Sequence, residues 1–310
     1  MTKKPLIIST DPGIDDVVAL TIALFSAKLD VKLIAATWGN VPLANTLVNT
    51  LKLEAFLKTK VPVVSGATCP LLRQAIDASD VHGKNGLAGY EFPAADQSLL
   101  QPGLAASAIH QVVEQSSEKV TLMQIGPATD FALYFRQFPE DLAKIEQLVI
   151  MGGAIGRGNW GPYSEYNVAG DPEAAQIVFS SGVKILLAPL ELGHQAYITQ
   201  ETLQEIKQIG DVGDMLYNIM TNLHDETETG GREIYDALAA GMLIEPDMYT
   251  FKPAYVVIID TKSSNAYGAS MIDFDNFFGQ QPNVQVGVKI NQTVFASWLV
   301  NEITKAEQLR

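Results

Sequence analysis

Short apolar runs that stop at a turn and feed a helical pattern recur along this chain, and that alternation constrains its fold more than any other feature. The first run, residues 6–8 (LII), leads through the turn STDPGIDD into Val17, Val18, Leu20, Thr21, Leu24 and Phe25 at helical spacing. Strand-like runs follow at 31–37, 61–64, 120–125, 148–151, 183–188, 255–260 and 284–290. Helical patterns fall at 44–58, 104–114, 172–179, 199–223 and 234–242, and from about 292 to the end. Continuous apolar runs are what strands buried on both faces require. Their alternation with helices predicts an α/β fold: a doubly wound, mostly parallel sheet with helices on both faces. No repeat, low-complexity tract or linker divides the 310 residues, so residues 1–310 read as one domain.

The strand-end loops of such a sheet share one rim, and ligands bind there. The first loop carries Asp11, Asp15 and Asp16 around Pro12, which fixes φ, and Gly13, which permits a tight bend. An acidic first helical turn is ordinary charge matching to the macrodipole. Three carboxylates on one loop, however, repel one another unless a cation or substrate hydroxyls compensate. Hard oxygen donors favour Ca²⁺ or Mg²⁺ over zinc, and the spacing is not that of an EF-hand.

Further along the rim come Asn40, Gly126, Asn159, Glu165 and Asn167, then Arg232, Tyr235 and Asp236 in GGREIYDAL. Carboxylates and amides in one place suit the vicinal hydroxyls of a sugar held around a divalent metal. His82, in VHGKNG, is either a surface turn residue or a proton donor beside a leaving group. His110 and His194 read as structural. Thr129 reads as the cap of a short helix, and Asp171 as an N-cap with Pro172 in the first helical position.

The formal net charge of −14 argues against an electrostatic grip on nucleic acid or an anionic membrane. Cys69 is the only cysteine, so no intrachain disulfide can form, and a reducing, cytoplasmic compartment is expected. The opening MTKKPLIISTDPG reaches an acidic turn too early for a secretory signal, and no apolar run approaches the length of a membrane span.

Taken together, DPGIDD at 11–16, WGN at 38–40, HGKNGL at 82–87, MGG at 151–153, EYN at 165–167 and DPEAA at 171–175 carry a resemblance. The chain resembles the nucleoside hydrolases of the inosine-uridine-preferring type, which cleave the N-glycosidic bond of ribonucleosides to ribose and free base. The resemblance implies a tightly held Ca²⁺ on Asp11, Asp16, Asp236 and the backbone carbonyl of Ile125, with Asp11 also taking the proton of the attacking water. It implies a ribose clamp of Asp15, Asn159, Glu165, Asn167 and Asp236, with Asn40 and the backbone around Met151 lining the same pocket. It further implies a small-molecule ribonucleoside as ligand and a homodimer or homotetramer.

Two positions depart from the family pattern. Tyr235 stands where well-known members carry His, which leaves Tyr235, His82 or His224 to assist the departing base. Ser9 stands where the motif often begins with a further Asp. These departures keep open a sugar- or nucleoside-binding protein with weakened catalysis. A Mg²⁺-dependent phosphohydrolase is a more distant alternative, since no Gly-rich Lys-Ser/Thr phosphate loop is present.

Overall fold

The computed structural model describes residues 3–222, 231–263 and 265–310. Ten strands join in one sheet: β1 (Lys4–Thr10), β2 (Leu29–Ala36), β3 (Val63–Ser65), β4 (Leu100–Leu104), β5 (Val120–Gln124), β6 (Ile145–Met151), β7 (Ile185–Ala188), β8 (Tyr249–Ile259), β9 (Ser270–Asp273) and β10 (Val284–Ile290). Their order is β4-β3-β2-β1-β5-β6-β7-β10-β8-β9. Pairing is parallel from β4 to β10, then antiparallel for β10–β8 and β8–β9. The fold is therefore the doubly wound, mostly parallel α/β sheet that the alternation predicts.

Side-chain alternation along the central strands divides the interior into two cores. Leu6, Ile8, Met123, Val149 and Met151 face the helices Ile14–Phe25, Asp211–Met220, Ala237–Ile244 and Gln292–Leu309. Ile7, Leu122, Leu148 and Ile150 face the helices Ala105–Gln115, Thr129–Gln137 and Pro172–Phe179. All nine of these strand side chains are at most 3% exposed. Burial contributes about 1.5–3 kcal/mol for each such aliphatic side chain, so the sheet centre is the rigid part of the molecule.

β1 lies between β2 and β5. The helix after β1 packs on one face and the helix after β5 on the other. The two connections therefore diverge at the carboxyl ends of β1 and β5, opening the crevice at which sheets of this kind bind ligands.

Several local expectations shift. β4 and β9 carry no strong strand signal: β4 contains Pro102 and Gly103 and is largely exposed, as edge strands tolerate. The 199–223 pattern resolves into helices Gln200–Lys207 and Asp211–Met220, interrupted at Gly210 (φ 133°); Leu223 and His224 lie outside the described residues. Thr129 does not cap its helix. It is the first helical residue, and its hydroxyl donates to Asp171 Oδ2 at 2.7 Å. Asp171 caps the helix Pro172–Phe179 as expected, accepting from Ala174 N at 3.1 Å. The helix expected from residue 234 begins at Ala237, so Asp236 occupies its N-cap position. Hydrophobic periodicity locates a helix but not its first turn.

Candidate active site

Asp11 follows β1 directly and is fully buried. Two glycines make room for it: a Cβ at Gly39 would stand 1.9 Å from Asp11 Oδ2, and one at Gly126 would stand 2.3 Å from Oδ1. Oδ2 accepts from Asn40 N at 2.7 Å. Oδ1 is buried without a hydrogen-bond partner. Burial, then the neighbouring Asp16 and Asp15, pushes the Asp11 carboxyl well above the ordinary range.

Asp16, also fully buried, combines a structural and a functional position. Its Oδ2 accepts from Gly13 N at 3.0 Å, tying down the start of the helix Ile14–Phe25, and from Asn40 Nδ2 at 3.1 Å. Its Oδ1 accepts from the Thr10 hydroxyl at 2.6 Å and from Asp11 N at 3.2 Å. Burial and Asp15 push its carboxyl up to about 6 against these donors.

Carboxylate oxygens of Asp15, Asp16 and Asp236 lie within 4.8 Å of one another. Asp236 is 3% exposed, and burial followed by Asp15, Asp16 and Asp11 pushes it well above the ordinary carboxylate range. Ionising this cluster in a low dielectric is unfavourable without a positive charge. The cluster is positioned to hold a divalent cation, and all of its donors are hard oxygens of the kind Ca²⁺ takes. Asp11 Oδ1, buried and without a hydrogen-bond partner, adds a further hard oxygen beside this cluster. Asp15, which the resemblance places on the ribose, belongs to this trio, whereas Asp11 stands beside it.

The opposite wall comes from the loop after β6. Glu165 caps the helix Tyr166–Gly170, accepting from Asn167 N at 2.9 Å, Gly153 N at 2.8 Å and Val168 N at 3.2 Å. Burial lifts its carboxyl to about 7 against those three donors. Asn167 Nδ2 lies 3.3 Å from the Met151 carbonyl and 3.4 Å from that of Ile125, spanning the ends of β6 and β5. Asn159 Oδ1 accepts from Tyr166 N at 2.9 Å.

These walls enclose a cavity of about 380 Å³. Asp15, Asn40, His82, Ile125, Met151, Asn159, Glu165, Asn167, Tyr235 and Asp236 all line it, while Asp11 and Asp16 lie beneath its floor. His82 ends the short helix Ser79–His82 and is 8% exposed. The Ile14 N–H donates to His82 Nδ1 at 3.2 Å, so a neutral ring carries its hydrogen on Nε2.

Sequence reasoning missed four lining residues of consequence: Glu233, Trp160, Tyr166 and Asp80. Arg232, expected on the rim, is instead 2% exposed; its Nε donates to the Met220 carbonyl at 3.0 Å and its Nη1 to the Gly231 carbonyl at 3.1 Å. Burial alternates over residues 232–235, with Arg232 bridged to Ile198: Arg232 and Ile234 are buried, while Glu233 and Tyr235 line the cavity. The run REIY carries no signal of this, since its two charged residues are adjacent and one of them is the buried one.

A switch-point crevice with an acidic floor, amide and carboxylate walls and one histidine defines a site for a small polyhydroxylated ligand held with a divalent cation. The inosine-uridine preferring nucleoside hydrolase model matches residues 6–297, and the chain belongs to that family. It is 37% identical over 305 residues to the non-specific ribonucleoside hydrolase RihC of Escherichia fergusonii, covering 98% of this chain and 99% of that one. Its identity to RihC of Escherichia coli O157:H7 is 38% over 298 residues, covering 96% and 97%. Among solved structures, a plant nucleoside hydrolase, the PpNRh1 enzyme, superposes with a TM-score of 0.89 at 29% identity over 98% of this chain and 99% of that one. The purine-preferring ribonucleoside hydrolase from Gardnerella vaginalis shares the fold, with a TM-score of 0.91 at 24% identity over 99% and 100%.

Proposed function

We propose that the chain acts as one catalytic domain that hydrolyses the N-glycosidic bond of ribonucleosides to ribose and free base, with Ca²⁺ in the acidic cluster. The carrying observation is Asp11: a fully buried carboxylate with one oxygen held by Asn40 and the other unpartnered, beside three further carboxylates at the foot of the cavity. The ribonucleoside hydrolases at 37–38% identity support the substrate class.

In this reading Asp11, Asp16, Asp236 and the Ile125 carbonyl hold the metal, with Asp15 within reach of it. When bound, the cation supplies a Lewis-acidic anchor for water and ribose hydroxyls. Asp15, Asn159, Glu165, Asn167 and Asp236 fix the ribose, and Asn40 and Met151 close the wall around it. Asp11 removes a proton from water as its oxygen attacks the anomeric carbon. The carbon–nitrogen bond breaks, and its electron pair leaves with the base. Oxocarbenium character on the ribose is stabilised by the surrounding carboxylate and amide oxygens. His82 Nε2–H meets the nitrogen that gains the electron pair. Tyr235 lines the same cavity.

The family resemblance also supports a homodimer or homotetramer, which sedimentation would decide. The single cysteine supports a cytoplasmic home. No helix among the described residues is long and apolar enough to cross a membrane.

Reducing-sugar release from inosine, adenosine, guanosine, uridine and cytidine, with added Ca²⁺ and again after chelation, tests the reading. Ribose release that chelation abolishes is expected. No release from any of the five by Ca²⁺-loaded protein would overturn it.

A further inference from the structure

One carboxylate in the cavity has no part in the chemistry above. The Tyr235 hydroxyl donates to Glu233 Oε2, and His194 Nδ1 lies 2.8 Å from that same oxygen. The His194 and Tyr235 rings meet edge-on, with centroids 6.2 Å apart and planes at 79°. Gly193 sets the place of the phenol ring from behind, since a Cβ there would stand 2.1 Å from Tyr235 Cδ1. The side chain of Glu233 is 21% exposed and that of His194 is 49% exposed, so this assembly runs from the cavity to the surface.

Hydrogen-bond direction follows from the donor inventory. An ionised carboxylate only accepts, so His194 Nδ1 brings the hydrogen to its contact with Glu233. A phenol has one hydrogen, and Glu233 holds it. Toward any further polar group the Tyr235 oxygen therefore accepts. His82 is oriented the opposite way: its Nδ1 accepts from the Ile14 N–H, so a neutral ring donates through Nε2.

We propose that Glu233, fixed by His194, is a positioning residue that makes the Tyr235 hydroxyl an acceptor for a ring N–H of the nucleobase, and not the proton donor to the departing base. The proposal rests on the ribonucleoside hydrolase reading and deepens it by assigning hydrogen-bond polarity at the base end of the cavity. Uracil and hypoxanthine carry such an N–H beside a carbonyl. Methylating that nitrogen removes the donor and leaves the Tyr235 oxygen facing an apolar group.

The test compares uridine with 3-methyluridine, and inosine with 1-methylinosine, in the wild type, in Glu233→Gln and in Tyr235→Phe. Wild-type kcat/KM should fall roughly tenfold or more on methylation, because an acceptor that the bound base covers loses its partner. In Glu233→Gln the new amide can donate to the phenolic oxygen and release the phenol hydrogen, and in Tyr235→Phe the acceptor is absent. In both variants the methylation penalty should shrink to within about threefold. The ratio is taken within one protein preparation, so partial unfolding of a variant does not alter it. An undiminished penalty in Glu233→Gln would show that the methyl group is excluded by shape and would overturn the proposal. Equal wild-type rates on methylated and unmethylated substrates would overturn it as well. The wild type is also assayed on p-nitrophenyl riboside, which has no base edge. Turnover there without a methylation penalty sinks the proposal alone; no turnover of any riboside sinks the hydrolase reading and the proposal with it.

Discussion

The main-chain N–H of Asn40 lies 2.7 Å from Asp11 Oδ2, so the loop after β2 fixes the carboxylate that follows β1. The same residue's side-chain amide reaches Asp16 Oδ2 at 3.1 Å and the Asp11 carbonyl at 3.2 Å. One asparagine thus sets the relative position of two carboxylates that would otherwise repel each other. The other Asp11 oxygen, Oδ1, is buried against Gly126 with no hydrogen-bond partner.

Asp11→Asn should therefore lower kcat by about 10²–10⁴, the range for loss of a general base. It should also raise the melting temperature of metal-free protein, because it removes a buried charge that burial and Asp16 disfavour. Steady-state ribose release and calorimetry after chelation report the two effects separately. A variant with near-normal turnover would exclude Asp11 as the base.

Calcium should stabilise the wild type. At a free concentration about 100 times Kd, binding to the folded state alone adds about 2.7 kcal/mol. Asp236→Asn removes one member of the trio and should abolish most of that increment. Melting curves with Ca²⁺ and with chelator check this for both proteins; identical wild-type curves in the two conditions would count against a resident cation.

Gly39→Ala places a Cβ 1.9 Å from Asp11 Oδ2 and 2.9 Å from Pro127 Cδ, both in the buried interior. Overpacking of this kind costs about 1–3 kcal/mol and displaces the carboxylate. Activity should fall far more than stability. Gly156→Ala, whose Cβ would meet Glu191 Oε1 at an ordinary 3.5 Å, is the control and should change neither.

Away from the site, Glu54 is 1% exposed; its Oε2 accepts from Val61 N at 3.1 Å. Burial lifts its carboxyl from the usual 4.5 to about 7. The folded protein therefore keeps this proton at pH values where the unfolded chain has lost it. Stability falls as pH rises from 4.5 to 7 and is level above, a loss on the order of 3 kcal/mol from this group. Glu54→Gln should remove that slope, which urea midpoints at pH 5 and pH 8 would measure. Equal slopes in the two proteins would assign the pH dependence elsewhere.

Much of this protein was legible before its coordinates. The run at 284–290 and the helix from 292 fall where the pattern puts them. Asp171 caps its helix, and ten of the residues named for the rim from sequence line one cavity, while Asp11 and Asp16 are buried beside it and Arg232 turns inside. These features are local: apolar periodicity and turn chemistry are written in neighbouring residues, and strand ends in a parallel sheet necessarily share a rim.

Other features depend on groups that meet only in three dimensions. Thr129 turned from a cap to a partner of Asp171, 42 positions away. Arg232 left the rim because its guanidinium found backbone carbonyls inside. Glu233 became part of the cavity only where the fold turned it outward from the buried Arg232 and Ile234, and its two partners, Tyr235 and His194, lie 2 and 39 positions away. Sequence by itself determined the central strands and helices, though not the edge strands β4 and β9, and most of the residue types that reach the rim, though not Arg232. Tertiary structure decided the charge state and hydrogen-bond direction of each site group, because both depend on desolvation and on partners that distant parts of the chain supply.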